Sequence, residues 1–472
     1  MDAQVKLNAS GEAQTIADVL SDFAATLEVD AIPAPVRECA RWHMLDAAGV
    51  AFASASYEFA QRSLAGLLAL GAGDSDVIGL PARLPLRDAV LMNGILVHGL
   101  DYDDTSITGR VHPSSFCFPC ALGMSAHLHR SGREMLAAYV VGVETAIRIG
   151  SVARGGFQRA GFHPTGLVGA FACALIAGRL LELNSAQLTM AQGIAYSTAT
   201  GPREFGSNDA WTKRMHAGWA GVGGITAALL ARQGFVGPRT TYEGEFGVYA
   251  NFLAALGGDY DPGLAAQRLG SHWEMQQVAF KPLPSCHFNH AFIDACIALA
   301  REHDIAPEDI VKVRALVPEA GIKTVCEPQQ SRRRPRDSYA AQFSVYYAVA
   351  CALLRRRFSL ADLEPAALND AEVLALADKV DYQIDPQSNF PRHYSGAVMV
   401  TLRDGRELTR REDVNRGSAE RPLSETEISA KFLDNAQRIM SAARARRIRA
   451  MILQVEESAD ARELSSALSM LS

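Results

Sequence analysis

From about residue 15 to residue 250, apolar positions return at three- and four-residue spacing in a stretch rich in Ala and Leu. That period predicts one helix after another. Leu70–Gly73 and Pro81–Pro85 read as turns, with a short extended piece, Val77–Leu80, between them. Small residues crowd Gly218–Ala228. No strand pattern precedes them and the G-x-G-x-x-G spacing is absent, so they do not form a nucleotide cradle. They are expected to let two helices approach closely.

After about residue 276 the period changes. Val311, Val313, Ala315 and Val317 alternate with Lys312, Arg314 and Leu316, the two-residue period of a strand. Val380, Tyr382 and Ile384 alternate in the same way, as do Val398, Val400 and Leu402. The last run leads into Asp404-Gly405, which signals a type I′ hairpin. One helical stretch, Ala291–Arg301, precedes these strands, and another, Tyr339–Leu354, lies between the first and the second. Helix then returns, with the capping-box pattern Ser424-Glu425-Thr426-Glu427 before Ile428, Phe432, Ala436 and Ile439, and again in Ala459–Leu471. The fold class expected is mainly α. One all-helical domain is built from both ends of the chain (1–276 and 413–472), with a smaller α+β lid domain (277–412) inserted.

The chain has 472 residues, 48% of them hydrophobic and 21% charged, which is ordinary globular usage. Its 46 Lys and Arg against 52 Asp and Glu leave a formal charge of −6. Neither a nucleic-acid partner nor an anionic membrane surface suits that balance, so positive charge for an anionic ligand must be local. The uncharged, mainly apolar stretch Ala217–Ala231 is short of the roughly 20 residues that span a bilayer. The opening residues show no basic segment followed by an apolar one. Eight scattered cysteines suit reduced thiols and a cytoplasmic location.

Two segments look alike. His112-Pro113-Ser114-Ser115 and His163-Pro164-Thr165-Gly166 each precede an apolar run. Pro followed by Ser or Thr suits a helix entry, so each sets an imidazole beside the unpaired N–H groups of a helix start. Such starts attract anions. Asp101-Tyr102-Asp103-Asp104-Thr105 has three readings: a solvated loop, a metal site, or a base at Asp101. Lys213 and His216 lie three apart and share a helix face. Lys281–His290 is dense in polar and ionisable residues, at the expected domain junction, where ligand clefts are common. A metal held by Cys286, His287 and His290 lacks a second pair at zinc spacing, and no metal is expected. Arg332–Arg336 reads as a solvated loop from which one Arg, taken as Arg336, could clamp a carboxylate.

Taken together, Leu100-Asp101-Tyr102-Asp103-Asp104-Thr105 with His112-Pro113, His163-Pro164-Thr165-Gly166, Thr212-Lys213-Arg214-Met215-His216 and Lys281-Pro282-Leu283-Pro284 with Ser285-Cys286-His287 and His290 resemble the MmgE/PrpD family. The similarity runs over nearly the whole chain, including Arg421-Pro422-Leu423-Ser424. That family contains 2-methylcitrate dehydratase, cis-aconitate decarboxylase and iminodisuccinate epimerase. The resemblance implies a two-domain fold, a homodimer, a site between the domains and no cofactor. It carries functional positions to Asp101, Thr105, His112, His163, Lys213 and Lys281. Two departures stand out. Cys286 falls where decarboxylase members have a histidine, and Thr324 falls near their functional tyrosine. Both argue against cis-aconitate decarboxylase and leave a dehydratase, an epimerase and an unassigned relative open.

The family reactions build negative charge beside a carboxylate, which fixed cations and donors must meet. The expected activity is therefore a cofactor-independent hydro-lyase on a small di- or tricarboxylate. Asp101 or His163 acts as base, His112 and Lys213 act as acid or enediolate stabiliser, and Lys281 with the helix starts holds carboxylates. Thr105, Ser114, Thr165, His216, Cys286, His287, His290 and Arg336 are the candidate substrate contacts. The alternatives are an epimerase of an imino- or amino-dicarboxylate and, lower, a noncatalytic carboxylate binder.

Overall fold

The computed structural model describes residues 14–206 and 210–471. They fall into two compact units. The first is built from the described residues of Met1–Gly99, Asp103–Val278 and Ser424–Ser472. The second is built from Leu100–Tyr102 and Ala279–Leu423. The fold is mainly α, with one small hairpin in the first unit and one four-stranded sheet in the second.

In the first unit, the helix Thr212–Arg232 packs against Leu86–His98 and Pro164–Leu180. Its small residues explain how closely. A Cβ on Gly218 would lie 2.2 Å from the Leu91 carbonyl oxygen, and one on Gly94 would lie 2.5 Å from the Gly218 Cα. Gly224 meets the Cys173 and Ala174 backbone in the same way. The crowding of small residues is therefore helix packing, as the pattern predicts. Gly218→Ala is expected to lower stability by about 1–3 kcal/mol, because two backbones rather than a pliable side chain must give way. Urea unfolding would measure it.

The helix Gly132–Val152 is long and apolar enough to cross a membrane by length and composition, but its apolar 18-residue stretch is buried inside the protein. It begins at a Ser131–Glu134 capping box. The hairpin corrects the expected extended piece at Val77–Leu80. The paired strands are Ser75–Asp76 and Arg83–Leu84, and residues 77–82 form the connection. The chain reverses through Gly79 (φ +67°), and Val77 N–H donates to the Ala82 carbonyl.

In the second unit the strand order is Val380–Ile384, Ile310–Val317, Gly396–Leu402, Glu407–Glu412, with the first pair parallel and the others antiparallel. The helix His287–Glu302 covers the last two strands, where a Gly396 Cβ would lie 2.4 Å from the Phe292 ring. Simple alternation fails at one end of Ile310–Val317. A register shift between Ile310 and Lys312 turns Ile310 inward and leaves Val311 54% exposed. Only Gly405 has positive φ at the Asp404-Gly405 turn, and Gly405 N–H bonds the Leu402 carbonyl. It is therefore a type I turn closed by a glycine bulge, not type I′. The stretch Tyr339–Leu354 divides into Ser338–Gln342 and Val345–Arg355, because Ser344 caps the second helix through the Tyr347 N–H. Residues 413–423 join this unit rather than the helical one. Phe280 N–H donates to the Gly417 carbonyl, and Tyr394 N–H donates to the Asn415 side chain. The helix Glu425–Ala436, with its Ser424 capping box, then returns to the first unit and packs on Ala34–Ser54.

Candidate active site

Four helix ends meet in the first unit. Leu86–His98 contributes its last residue, His98. Ser114–His127 begins two residues after His112, Pro164–Leu180 has His163 as N-cap, and Thr212–Arg232 carries Lys213 and His216 in its first turns. Three helix starts thus face one region, and each adds partial positive charge and unpaired N–H groups.

The side chains there are close. The His98 and His163 rings stack at 5.4 Å, His98 and His112 lie 4.9 Å apart, and His112 and His163 lie 6.3 Å apart. His163 Nδ1 is 3.2 Å from His216 Nδ1. His98 Nδ1 lies 2.7 Å from Asp103 Oδ2 and donates to it. His112 Nδ1 is 2.8 Å from the Asp104 carbonyl oxygen, which only accepts, so that nitrogen carries the proton. Its Nε2 then bears the lone pair. Thr105 Oγ1 sits 3.2 Å from His112 Nδ1, and Thr165 Oγ1 accepts the His112 backbone N–H at 3.2 Å. Thr105 and Thr165 therefore hold His112.

Asp104 fixes the loop that carries these groups. Its carboxylate forms an ion pair with His43 Nδ1 at 3.0 Å and accepts from the Ser114 N–H at 3.1 Å and from the Ser114 hydroxyl. Tyr139, 2.6 Å away, then donates to Ser114 Oγ. Burial opposes a charge on His43, but Cys39 beside it and the bond to Asp104 raise it to about 10. The pair is therefore imidazolium and carboxylate at neutral pH. Asp101, Asp103 and Asp104 are all buried, which rules out the solvated-loop reading of this segment.

The electrostatics sort the histidines. Burial, with His98, Lys213, His216 and His112 around it, pushes His163 well below its ordinary value. Burial with His98 and Lys213 lowers His216 to about 4. Both are neutral at pH 7. His163 Nε2 is buried and has no hydrogen-bond partner among the described residues. A neutral imidazole with one uncommitted nitrogen, near the Lys213 ammonium, can exchange a proton with a ligand atom.

The second unit holds its own charged pair. Lys281 is 1% exposed, and its Nζ lies 3.0 Å from Asp101 Oδ1 and 2.8 Å from the Asp101 carbonyl. Asp101 adopts φ +48°, a region that Asp enters at some cost. His290 is fully buried and donates Nε2–H to the Ser285 carbonyl, and burial and Lys281 depress it to about 3. Cys286 caps the helix His287–Glu302, with its N–H on the Gln342 carbonyl. His287 stacks on Tyr394 at 4.3 Å, with Asn415 3.0 Å from its Nε2.

His98, Asp103 and His112 place three ligand-type atoms within 4.8 Å of one another. Through Nδ1 the two histidines do not fit a metal as arranged. His112 Nδ1 and His98 Nδ1 both bear protons held by oxygen acceptors, so neither offers a lone pair there. Cys286, His287 and His290 form no such group among the described residues.

Of the residues expected from sequence, the first unit brings together Thr105, His112, His163, Thr165, Lys213 and His216. Asp101, Lys281, Cys286, His287 and His290 lie in the second unit. Ser114 is corrected: its hydroxyl is buried and bonded to Asp104 and Tyr139, so it braces the loop instead of meeting a ligand. Arg336 is corrected too. Its side chain is 63% exposed beside Asp337. Nor is Arg332–Arg336 a solvated loop. Arg332 is buried, Arg333 bonds the Ala377 and Asp378 carbonyls, and Arg334 bonds the Leu374 carbonyl. Sequence reasoning missed His98 and His43, whose partners Asp103 and Asp104 lie outside their helices.

The chain matches the MmgE/PrpD N-terminal domain over residues 18–257 and the MmgE/PrpD C-terminal domain over residues 283–457. It belongs to the MmgE/PrpD family. Among its relatives, the Homo sapiens cis-aconitate decarboxylase is 30% identical over 382 residues, covering 78% of this chain and 76% of the relative. The cis-aconitate decarboxylase-like protein oryM of Aspergillus oryzae is 26% identical, covering 95% and 96%. An Aspergillus terreus cis-aconitate decarboxylase is 25% identical, covering 93% and 92%.

Proposed function

We propose that this member of the MmgE/PrpD family is a lyase that cleaves a bond beside a carboxylate of a small tricarboxylate, passing through an enediolate-like carbanion. The supporting observation is the buried, neutral His163 with its uncommitted Nε2, set among Lys213, His98 and His112 where three helices begin. The cations and helix starts would hold the anion and the charge that grows on it. His163 would move the proton.

Decarboxylation of a cis-aconitate-type substrate is the first choice, because the relatives compared carry that name. In that reaction the bond to the departing carboxyl breaks, its electron pair stays on carbon, carbon dioxide leaves, and an acid returns a proton to the carbon skeleton. Water elimination from a hydroxylated tricarboxylate is the second choice. It is favoured by Cys286 and Thr324, which stand where the decarboxylase pattern resembled above has histidine and tyrosine. There a base takes the α-proton and the hydroxyl leaves with a proton from an acid. No step calls for a cofactor.

The purified chain should be incubated in deuterium oxide with cis-aconitate, citrate and methylcitrate, and the products weighed. Loss of carbon dioxide with one deuteron on the product supports the first choice, and loss of water the second. Unchanged mass with deuterium incorporation would instead make the chain an epimerase. Compounds that bind and are never altered would make it a noncatalytic binder. Self-association as a homodimer belongs to the same proposal, and sedimentation velocity checks it.

A linked prediction concerns protons. A polyanion beside His163 and His216 offsets the neighbouring positive charge that helps hold both below their ordinary values, so their pKa values rise on binding. Binding at pH 7 should therefore take up protons, and affinity should strengthen as pH falls toward 6. Calorimetry in two buffers of different ionisation heat reads the uptake. Proton release on binding would contradict the arrangement.

A further inference from the structure

Two neutral imidazoles whose Nδ1 atoms lie 3.2 Å apart share one proton: one ring donates and the other accepts. The ring that donates through Nδ1 keeps a lone pair on Nε2. If that ring is His163, its Nε2 is a base. If it is His216, His163 carries its proton on Nε2 and is a donor. The pair therefore has two neutral forms, and a proton arriving at His163 Nε2 leads from the first to the second once the bridging proton has moved across and His216 Nε2 has released its own.

We propose, as a deepening of the function put forward above, that His216 is a proton-relay residue: the Nδ1···Nδ1 bond carries onward the proton that His163 Nε2 exchanges with the substrate carbon. The step balances. When a carbon–hydrogen bond breaks, the electron pair stays on carbon and the proton adds to His163 Nε2. The proton on His163 Nδ1 passes to His216 Nδ1, His163 stays neutral, and His216 becomes the imidazolium. In the reverse sense, imidazolium at His216 gives its Nδ1 proton to His163 Nδ1 as the Nε2 proton goes to carbon.

The surroundings favour this division. His163 is faced by His98, His112 and Lys213, three groups that each disfavour a cation on its ring, besides the bridging His216 itself. His216 is faced by His98 and Lys213. Phe205 stands edge-on to both rings, with centroids 5.9 Å away. A positive charge formed at the substrate-facing ring thus meets more repulsion than one passed a ring further on. His216 rests in the second turn of Thr212–Arg232, beside the close approach of the Gly166 backbone, where a Cβ would lie 2.9 Å from the His216 Cβ. That contact fixes the ring's place.

The first arm of the test does not depend on turnover. In protein containing 15N-histidine, a scalar coupling through the hydrogen bond is expected between the Nδ1 nuclei of His163 and His216, and it should vanish in His216→Asn. The second arm is kinetic. His216→Asn keeps a hydrogen-bonding group near the old Nδ1 position but cannot take up a proton. It should lower kcat by about 10–100-fold with KM within about threefold, and added imidazole should restore part of kcat. His216→Gln serves the same end if the Asn variant unfolds. Absence of the coupling in the wild type, or a His216→Asn enzyme with unimpaired kcat, overturns the relay. A coupling that is present in a protein converting no tricarboxylate supports the bridge and sinks the proposed function instead.

Discussion

His163→Asn is expected to lower kcat for the tricarboxylate reaction by about 10²–10⁴-fold, the range of a positioned acid–base group. The substitution is chosen for its shape. The Asn amide occupies roughly the place of Nδ1 and can keep a bond toward His216, while the Nε2 edge disappears. His163 is the N-cap of Pro164–Leu180 but makes no side-chain cap bond, so the helix entry is not weakened by its loss. The unfolding midpoint should stay near that of the wild type, and substrate binding should change less than turnover. Lys213→Met gives a second reading of the same site, with about 10²–10³-fold expected if its ammonium meets growing charge. Steady-state kinetics beside thermal unfolding would check both. A His163→Asn enzyme within threefold of wild type would move the chemistry elsewhere.

How much of this was readable beforehand follows from what each residue needs. The two His-Pro helix entries were legible because Pro before a polar residue and an apolar run is a local signal, and both helices begin where it says. The same holds for the capping box at Ser424 and for the small residues at Gly218, whose periodicity and size depend on near neighbours. The Asp101–Asp104 segment was not legible. Three adjacent carboxylates look solvated until a fold supplies His98 for Asp103, His43 for Asp104 and Lys281 for Asp101, partners 5, 61 and 180 residues away. Ser114 misled for the same reason: its hydroxyl suits a ligand as well as it suits Asp104, and only the distant Tyr139 decides. Val311 and the Asp404-Gly405 turn show the limit of pattern in strands. One bulge shifts the face, and a hairpin type depends on a φ angle that composition does not fix.

Lys431→Met should cost about 3–5 kcal/mol, the range for breaking a buried pair from one side. Lys431 Nζ lies 2.7 Å from Asp46 Oδ1, with the two side chains 5% and 1% exposed. Removing the ammonium leaves Asp46 with its charge buried. Burial already raises the Asp46 pKa, against the pull of Lys431, and the nearby Asp104 adds to the rise. Without the lysine it rises further, so Asp46 becomes neutral at a higher pH. The loss should therefore be greatest at pH 7–8 and shrink as pH falls and the carboxyl takes up its proton. Urea unfolding at several pH values would follow it. The double variant Asp46→Leu with Lys431→Met should recover most of the loss, because it removes the stranded charge together with its partner. The pair also bears on the site. Asp46 lies one turn after His43 on the helix Ala34–Ser54, and His43 helps hold Asp104 at the start of Ser114–His127. In Lys431→Met the altered charge beside His43 should therefore lower turnover by more than the folded fraction alone explains. Activity that tracks the folded fraction at every pH would show instead that the pair steadies the helices and leaves the Asp104 loop untouched.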